Sequence, residues 1–176
     1  MDLKEQTADA IWTADYPVHY CGIGFSAQVT VIRLPDGRLI LHSPSDIGAA
    51  AAARISALGP PAFIIASGSY HYLNLPSAQA ALPDAEVWIC PGVERKSPEL
   101  EFDWILSDRP PDAWADTLDQ CLVRGNRFIW EVPFFHKPSK TLILVDLIEN
   151  IGYRTPGTDW KLKLWWKAVF HMWNTP

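Results

Sequence analysis

The strongest constraint on the fold is an alternation of short apolar runs with helix-forming segments in the first half of the chain. Pro60–Ser67 and Ala85–Pro91 are apolar almost throughout, as in strands whose two sheet faces are both covered. Ser45–Gly59 and Leu75–Pro83 carry helix signals, with Ser45 or Asp46 available as an N-cap. The sequence therefore predicts a mixed α/β (α+β) fold in which helices pack on a sheet.

Two hairpins are predicted on either side of this alternation. Gln28–Leu34 alternates like a strand, Pro35–Arg38 forms a turn, and Leu39–Pro44 returns. Arg127–Lys137 and Lys140–Asn150 form a second strand pair joined by a proline-containing turn.

The remaining segments give weaker patterns. Residues 1–27 are interpreted as an irregular or weakly paired lead-in, and a strand is expected near Gln120–Val123. Gly92–Leu100 is predicted as a short helical or looped piece, and Trp160–Trp173 as a helix. With 176 residues the chain is expected to form one domain, residues 1–176.

Composition limits the function classes. The net charge of −5 argues against a nucleic-acid binder, because neutralising phosphates needs clustered Lys and Arg. No apolar run approaches the roughly 20 residues of a membrane span, and the polar N-terminus does not resemble a signal peptide. Cys21, Cys90 and Cys121 show no metal or disulfide spacing, so a cytoplasmic location is expected. His19 shares a strand face with Cys21, but no third ligand is near.

Two polar residues follow apolar strands. His71 comes just after the strand Pro60–Ser67 and before a helix, where α/β folds tend to bind ligands. Asp146 ends a second apolar run, where a carboxylate is costly to bury unless it is paired or bound to a metal. Each also has a structural interpretation: His71 as a backbone-bonded loop residue, and Asp146 as a cap or turn residue.

Other polar residues are assigned structural roles. His42 and Ser43 end a strand, but adjacent strand residues face opposite sides, so they cannot form a dyad with each other. Glu131 and His136 are five residues apart and would also face opposite sides of a regular strand. His171 is expected to pack among aromatic residues of the terminal helix.

The terminal helix has an apolar stripe with basic residues beside it. The favoured interpretation is a helix that docks on its own protein, and the alternative is binding to a membrane surface. If nothing covers the Trp160–Trp173 face, self-association or a covering partner is expected. The stripe comprises Leu162, Trp165, Trp166, Val169, Phe170 and Trp173.

Three segments together resemble a known family. They are VTVIRLPDGRLILHSP, FIIASGSYHYLNLPSAQAALPDAEVWICPG and FFHKPSKTLILVDLIEN. The pattern, over roughly Gln28–Asn150, resembles an uncharacterised domain-of-unknown-function family that is a divergent branch of the metallo-β-lactamase-like fold. The resemblance implies an αββα sandwich with a site at one edge between its two sheets.

The resemblance also implies where metal ligands would stand. Metal-dependent relatives carry H-x-H-x-D-H after this strand, and their His and Asp side chains bind one or two zinc ions. Here only His71 matches, at the final His, while Ala66, Gly68 and Tyr70 occupy the other positions. Asp146 matches the bridging Asp of the relatives.

Two further ligands of the relatives have no counterpart. No His occurs near residues 125–127, and the last His would fall beyond Pro176, which leaves a C-terminal truncation of the fold open. The first hypothesis is therefore a protein without the standard zinc site, either non-catalytic or binding a small molecule. The second is a single-metal hydrolase of an ester, amide or phosphoester, with His71 and Asp146 as catalytic and metal residues and zinc as the candidate cofactor. The third is a membrane-surface or protein-interaction role through the terminal helix.

Overall fold

The main body of the protein is a seven-stranded mixed sheet whose strand order follows the chain. A computed structural model describes residues 1–20, 22–125, 129–148 and 160–170. The strands of this sheet are β1 (Lys4–Thr7), β2 (Ile11–Tyr20), β3 (Ile23–Arg33), β4 (Leu39–His42), β5 (Pro61–Ala66), β6 (Glu86–Ile89) and β7 (Trp104–Ile105).

A smaller antiparallel sheet and the helices complete the described structure. The small sheet has the order β10–β9–β8. Its strands are β8 (Leu118–Gln120), β9 (Phe134–His136) and β10 (Thr141–Ile143), and the helices are α1 (Ala49–Ser56), α2 (Leu75–Ala81), α3 (Val93–Lys96) and α4 (Trp160–Phe170).

The large sheet changes from antiparallel to parallel pairing at β4. A tight turn, with Gly37 at φ +88°, returns the chain from β3 to β4. The helices α1 and α2 then provide the crossovers that parallel pairing of β4, β5 and β6 requires. Because these strands are parallel, the loops that follow β4 and β5 emerge at the same edge of the sheet.

Aromatic side chains join the two sheets. Trp114, which precedes β8, meets Phe63 of β5 with ring centroids 5.1 Å apart and Trp88 of β6 at 4.9 Å. Phe134 of β9 lies 6.4 Å from Trp114 and has no exposed surface. Trp114 and the small sheet therefore pack on one face of the large sheet.

The prediction of an irregular lead-in was wrong. Residues 1–27 form β1, β2 and the first part of β3, and β2 pairs with β3 along its full length. Of residues 11–19, the first four are buried and the rest are half-buried or exposed, so this part of the strand shows no apolar alternation. Gly22, at φ +76°, provides the turn between the two strands, and Pro17 is tolerated within this pairing.

Several predicted boundaries were also wrong. The expected strand Gln120–Val123 lies earlier, at Leu118–Gln120, and the two strands of the second hairpin contain only three residues each. Helix α1 begins after Gly48, and neither Ser45 nor Asp46 caps it. The predicted residues 126–128 and 149–150 lie outside the described part of the chain.

The terminal helix is present, with α4 lying against β3. Leu162 of the predicted stripe is buried, whereas Trp160 and Leu164 are exposed. The other stripe side chains and His171 lie outside what the structure describes, so self-association and a membrane-surface role stay predictions. Within the described ranges, no helix is long and apolar enough to cross a membrane.

Candidate functional site

Three separate segments meet at the edge where β4 and β5 end. The Ser43 hydroxyl makes a short hydrogen bond with Nδ1 of His71. On the other side of the same ring, His71 Nε2 lies 3.2 Å from Asp146 Oδ1. The structure therefore brings together the two residues singled out in the sequence, His71 and Asp146, and adds Ser43, which the sequence had assigned to structure. A catalytic or metal role for the pair stays a prediction.

The strand ends fix the positions of Ser43 and His71. The Ser43 N–H donates to the Ile65 carbonyl at 2.8 Å, which extends the β4–β5 ladder by one residue. Ser43 itself has φ +57°, a left-handed conformation that is uncommon for a residue other than glycine. The His71 N–H closes a turn on the Gly68 carbonyl at 3.1 Å. The imidazole is consequently held above the end of β4.

The hydrogen-bonding chemistry defines the tautomer of His71. An ionised carboxylate has no proton to donate, so with Asp146 ionised the proton of the neutral ring lies on Nε2 and is donated to Asp146. Nδ1 then carries the lone pair and accepts the Ser43 hydroxyl proton. Protons along this line are thus directed from Ser43 through His71 toward Asp146.

Tyr16 and Asn74 extend this network. Burial raises the pKa of Tyr16, and hydrogen bonds with the side chains of Ser43 and Asn74 partly oppose that rise. Asn74 also donates from Nδ2 to the Pro44 carbonyl at 3.1 Å. Tyr16 belongs to β2, which the sequence had placed in an irregular lead-in, so no sequence signal pointed to it.

Glu131 anchors the loop that carries Asp146. Its carboxylate has no exposed surface and accepts three backbone N–H bonds. The donors are Val145 to Oε1 at 2.8 Å, and Asp146 and Leu147 to Oε2 at 2.7 and 2.8 Å. Backbone bridges also pair Glu131 with Gly68 and Val123. This carboxylate therefore sets the position of Asp146 relative to His71.

The other histidines do not bond to this network, although His42 directly precedes Ser43 and lies close enough to His71 to be affected by it. His42 is buried with its ring edge-on to Phe134, at a centroid distance of 5.3 Å. Burial, with a smaller effect from His71, lowers its pKa to about 3. Neither of its ring nitrogens has a hydrogen-bond partner among the described residues.

His136 and His19 have different surroundings. His136 bonds through Nδ1 to the Ser139 hydroxyl at 2.6 Å, inside the β9–β10 turn, and burial lowers its pKa. His19 is exposed on β2, and its suggested neighbour Cys21 is outside the described residues.

The residues present do not fit the zinc centre of the metal-dependent relatives. In the parts of the chain that the structure describes, no group of three or more His, Cys, Asp or Glu side chains is placed to hold a metal ion. A Cβ on Gly68 would lie 3.0 Å from both the His71 ring and a Val145 methyl group. The first side-chain carbon of a metal-binding residue at position 68 would therefore have no room. The second oxygen of Asp146, Oδ2, is buried and has no hydrogen-bond partner among the described residues.

Solved structures define the class of fold. A metallo-β-lactamase from Pontibacter korlensis superposes with a TM-score of 0.66 at 14% identity, covering 97% of this chain and 83% of that one. The DIM-1 metallo-β-lactamase exposed to ceftazidime gives 0.64 at 13% identity, covering 89% and 76%. A metallo-β-lactamase from Hirschia baltica gives 0.61 at 10%, covering 80% and 68%. The chain thus has a metallo-β-lactamase-like fold, as predicted.

The family is also established. The chain belongs to the family described as Domain of unknown function (DUF4336), whose model matches residues 8–163. No curated protein matches the chain. The resemblance inferred from the three sequence segments is confirmed at the level of family and fold.

Proposed function

We propose that this protein binds a small polar molecule at the His71–Asp146 edge and does so without a zinc centre. The observation that carries the proposal is that both ring nitrogens of His71 are already bonded to the protein, Nδ1 to Ser43 and Nε2 to Asp146. A metal ion would have to break the second of these bonds. The ligand positions of the relatives at Ala66, Gly68 and Tyr70 offer nothing to compensate.

The chemistry of the edge favours a hydrogen-bonding ligand. The side chains of His71 and Asp146 are 15% and 20% exposed, so a ligand can reach them while their inner surfaces stay fixed. Tyr16 and Asn74, both half-buried, add a hydroxyl and an amide to the same network. A few polar groups held rigidly by the fold are typical of small-molecule sites.

A single-metal hydrolase is the second candidate, and one distance favours it. Two ligands of a tetrahedral zinc ion, each bonded at about 2.0–2.1 Å, lie about 3.3 Å apart. The 3.2 Å between His71 Nε2 and Asp146 Oδ1 is close to that separation. Such a site would still need a further ligand.

Elemental analysis separates the two candidates. Protein purified without chelators or a polyhistidine tag should contain no stoichiometric zinc, iron or manganese, and added zinc should leave its melting temperature unchanged. Stoichiometric metal that is lost in a His71→Ala, Asp146→Ala double variant but retained in His19→Ala would contradict the proposal and support the hydrolase. His19→Ala is the control for adventitious binding, because His19 is an exposed histidine away from the site.

Ligand binding is tested separately. A fragment set of small alcohols, amides and carboxylates, screened by ligand-observed NMR, should yield binders that compete with one another. Their binding should be lost in His71→Ala and unchanged in His19→Ala. Binders that are indifferent to His71→Ala would place the binding site elsewhere.

A cytoplasmic location is part of the proposal. Cys90 and Cys121 are free thiols in the structure. Burial raises the pKa of Cys90 to about 12, which keeps it unreactive. The exposed thiol of Cys121 is best suited to a reducing compartment.

A further inference from the structure

We propose that Ser43 is a nucleophile for the hydrolysis of a small carboxylic ester, with His71 as its base and Asp146 as the group that orients the imidazole. The proposal rests on the metal-free site described above and assigns a reaction to it. Its basis is the unbroken line from the Ser43 hydroxyl through both nitrogens of His71 to the Asp146 carboxylate.

The backbone of Ser43 is the first independent observation. Ser43 follows the parallel strand β4 and precedes α1, and it is held at φ +57°. A residue other than glycine is strained in this conformation, which persists only where the surroundings impose it. Nucleophilic serines of α/β hydrolases occupy a similarly strained turn between a strand and a helix. The hydrogen bond from the Ser43 N–H to the Ile65 carbonyl is the restraint that holds the turn here.

The direction of proton transfer is the second independent observation. In serine hydrolases the serine faces Nε2 of the histidine and the aspartate faces Nδ1. Here the two nitrogens exchange places, because Ser43 faces Nδ1 and Asp146 faces Nε2. The electronic requirement is the same in both arrangements. One nitrogen keeps its proton against the carboxylate, and the other presents its lone pair to the hydroxyl.

The reaction balances with water as the only co-substrate. The Ser43 proton moves to His71 Nδ1 as the Oγ–C bond forms, and the ester C–O bond breaks as the leaving alcohol takes that proton. Water then gives a proton to Nδ1 while its oxygen bonds to the acyl carbon. The acid leaves, the proton returns to Ser43 Oγ, and nothing is oxidised or reduced.

Tyr16 covers the nucleophile. Ser43 has no exposed surface, whereas Tyr16, which bonds to it, is half-buried on β2. Rotation of the Tyr16 side chain is therefore the movement that opens Ser43 to an ester. Replacing this ring should increase the access of a reagent, and it removes one hydrogen bond of Ser43 while leaving the bonds of His71 to Ser43 and Asp146 in place.

A fluorophosphonate reagent tests the proposal. Attack by Ser43 Oγ on phosphorus expels fluoride and leaves a stable adduct that intact-protein mass spectrometry detects and peptide mapping locates. One adduct is expected at Ser43, formed faster in Tyr16→Ala. The adduct should be lost in Ser43→Ala and Ser43→Gly, the second of which accommodates the left-handed backbone. In His71→Ala labelling should be slower by about a hundredfold or more.

The chain supplies a matched control in Ser139. Its hydroxyl also bonds to a histidine Nδ1, that of His136, but within the β9–β10 turn. Ser139→Ala should leave labelling unchanged. Absence of a Ser43 adduct in both wild type and Tyr16→Ala would overturn the proposal, as would equal labelling rates in folded His71→Ala. Labelling is repeated with EDTA, which removes any bound metal. A missing adduct then argues against Ser43 as a nucleophile, whereas the metal analysis tests the zinc-free site independently.

Discussion

Glu131 shows how one buried side chain can determine the geometry of a site it does not enter. Its three hydrogen bonds are all to backbone N–H groups of residues 145–147. No neighbouring strand pairs with this segment in the described structure, since β10 ends at Ile143. The carboxylate takes the place of a strand partner, which is why the predicted strand to Asn150 stops early.

Replacing Glu131 should therefore release the Asp146 loop. Glu131→Gln retains the size of the side chain, but an NH2 group replaces one acceptor oxygen and faces backbone N–H donors. The variant should lower the free energy of unfolding by about 2–4 kcal/mol. Urea denaturation measures the loss. Glu86→Gln, at an exposed position on β6, is the control and should change little. Equal losses in both variants would contradict the anchoring role.

His42 predicts a specific dependence of stability on pH. Its folded pKa of about 3 lies below the ordinary value of 6.5, because burial disfavours the charged ring. Between pH 3 and pH 6.5, the His42 ring therefore binds a proton in the unfolded chain but not in the folded chain. The contribution of His42 to the free energy of unfolding is therefore fully present above about pH 6.5. It decreases by about 1.4 kcal/mol per pH unit as the pH drops toward 3.

His42→Phe should remove that part of the acid sensitivity. The ring contact with Phe134 can be retained, and the unpartnered nitrogens are removed. Guanidinium denaturation of both proteins between pH 4 and 7 gives the difference in slope. Parallel pH profiles for the two proteins would show that His42 does not titrate as the structure requires.

Turns between elements carry the next prediction. Lys140, exposed in the β9–β10 turn, has φ +56°, so Lys140→Gly should stabilise the protein by up to about 1 kcal/mol.

Gly59, between α1 and β5, is the opposite case. A Cβ there would lie 2.4 Å from the Gly37 carbonyl oxygen, so Gly59→Ala should cost about 1–3 kcal/mol. Thermal melts of both variants check the signs, and a stabilising Gly59→Ala would contradict the close approach of these turns.

The elements differ in how far the sequence predicts them. Strand β5 is predictable because burial on both faces leaves an apolar run. Strand β6 and helix α2 are predictable because proline bounds a short apolar segment and a short helix-forming segment. Strand β2 is not, because most of its residues gain backbone pairing with β3 without burying apolar side chains. Such pairing depends on backbone hydrogen bonds to a neighbouring strand, so it does not require a particular pattern of apolar and polar residues.

At the level of the whole molecule, the terminal helix tests how the end of the chain is attached to the sheet. Leu162 is buried where α4 lies against β3, and Leu164 is 56% exposed. Leu162→Ala should lower the free energy of unfolding by about 2 kcal/mol or more, and Leu164→Ala by less than about 0.5 kcal/mol. Chemical denaturation compares the pair, and equal small effects would mean that α4 does not pack as described.

The site was only partly predictable, for a reason that lies in the whole fold. His71 and Asp146 each follow an apolar run, so residue type and position identify them individually. Ser43 lies 28 residues before His71, and Asp146 lies 75 residues after it. Their contacts exist only because parallel pairing of β4 with β5 and the second sheet bring three loops to one edge. Tyr16 reaches Ser43, and Glu131 reaches the Asp146 loop, in the same way, through partners distant in sequence.

The state of the His71 ring is the most direct measure of whether this edge is a hydrogen-bonded line or a metal site. Nitrogen-15 NMR of the imidazole, assigned by comparison with His71→Gln, should show a neutral ring with its proton on Nε2 and a lone pair on Nδ1. One equivalent of zinc should leave these signals where they are. Loss of the Nε2 proton and a shift of that nitrogen on adding zinc would mean that His71 is a metal ligand and that its bond to Asp146 is not the resting state.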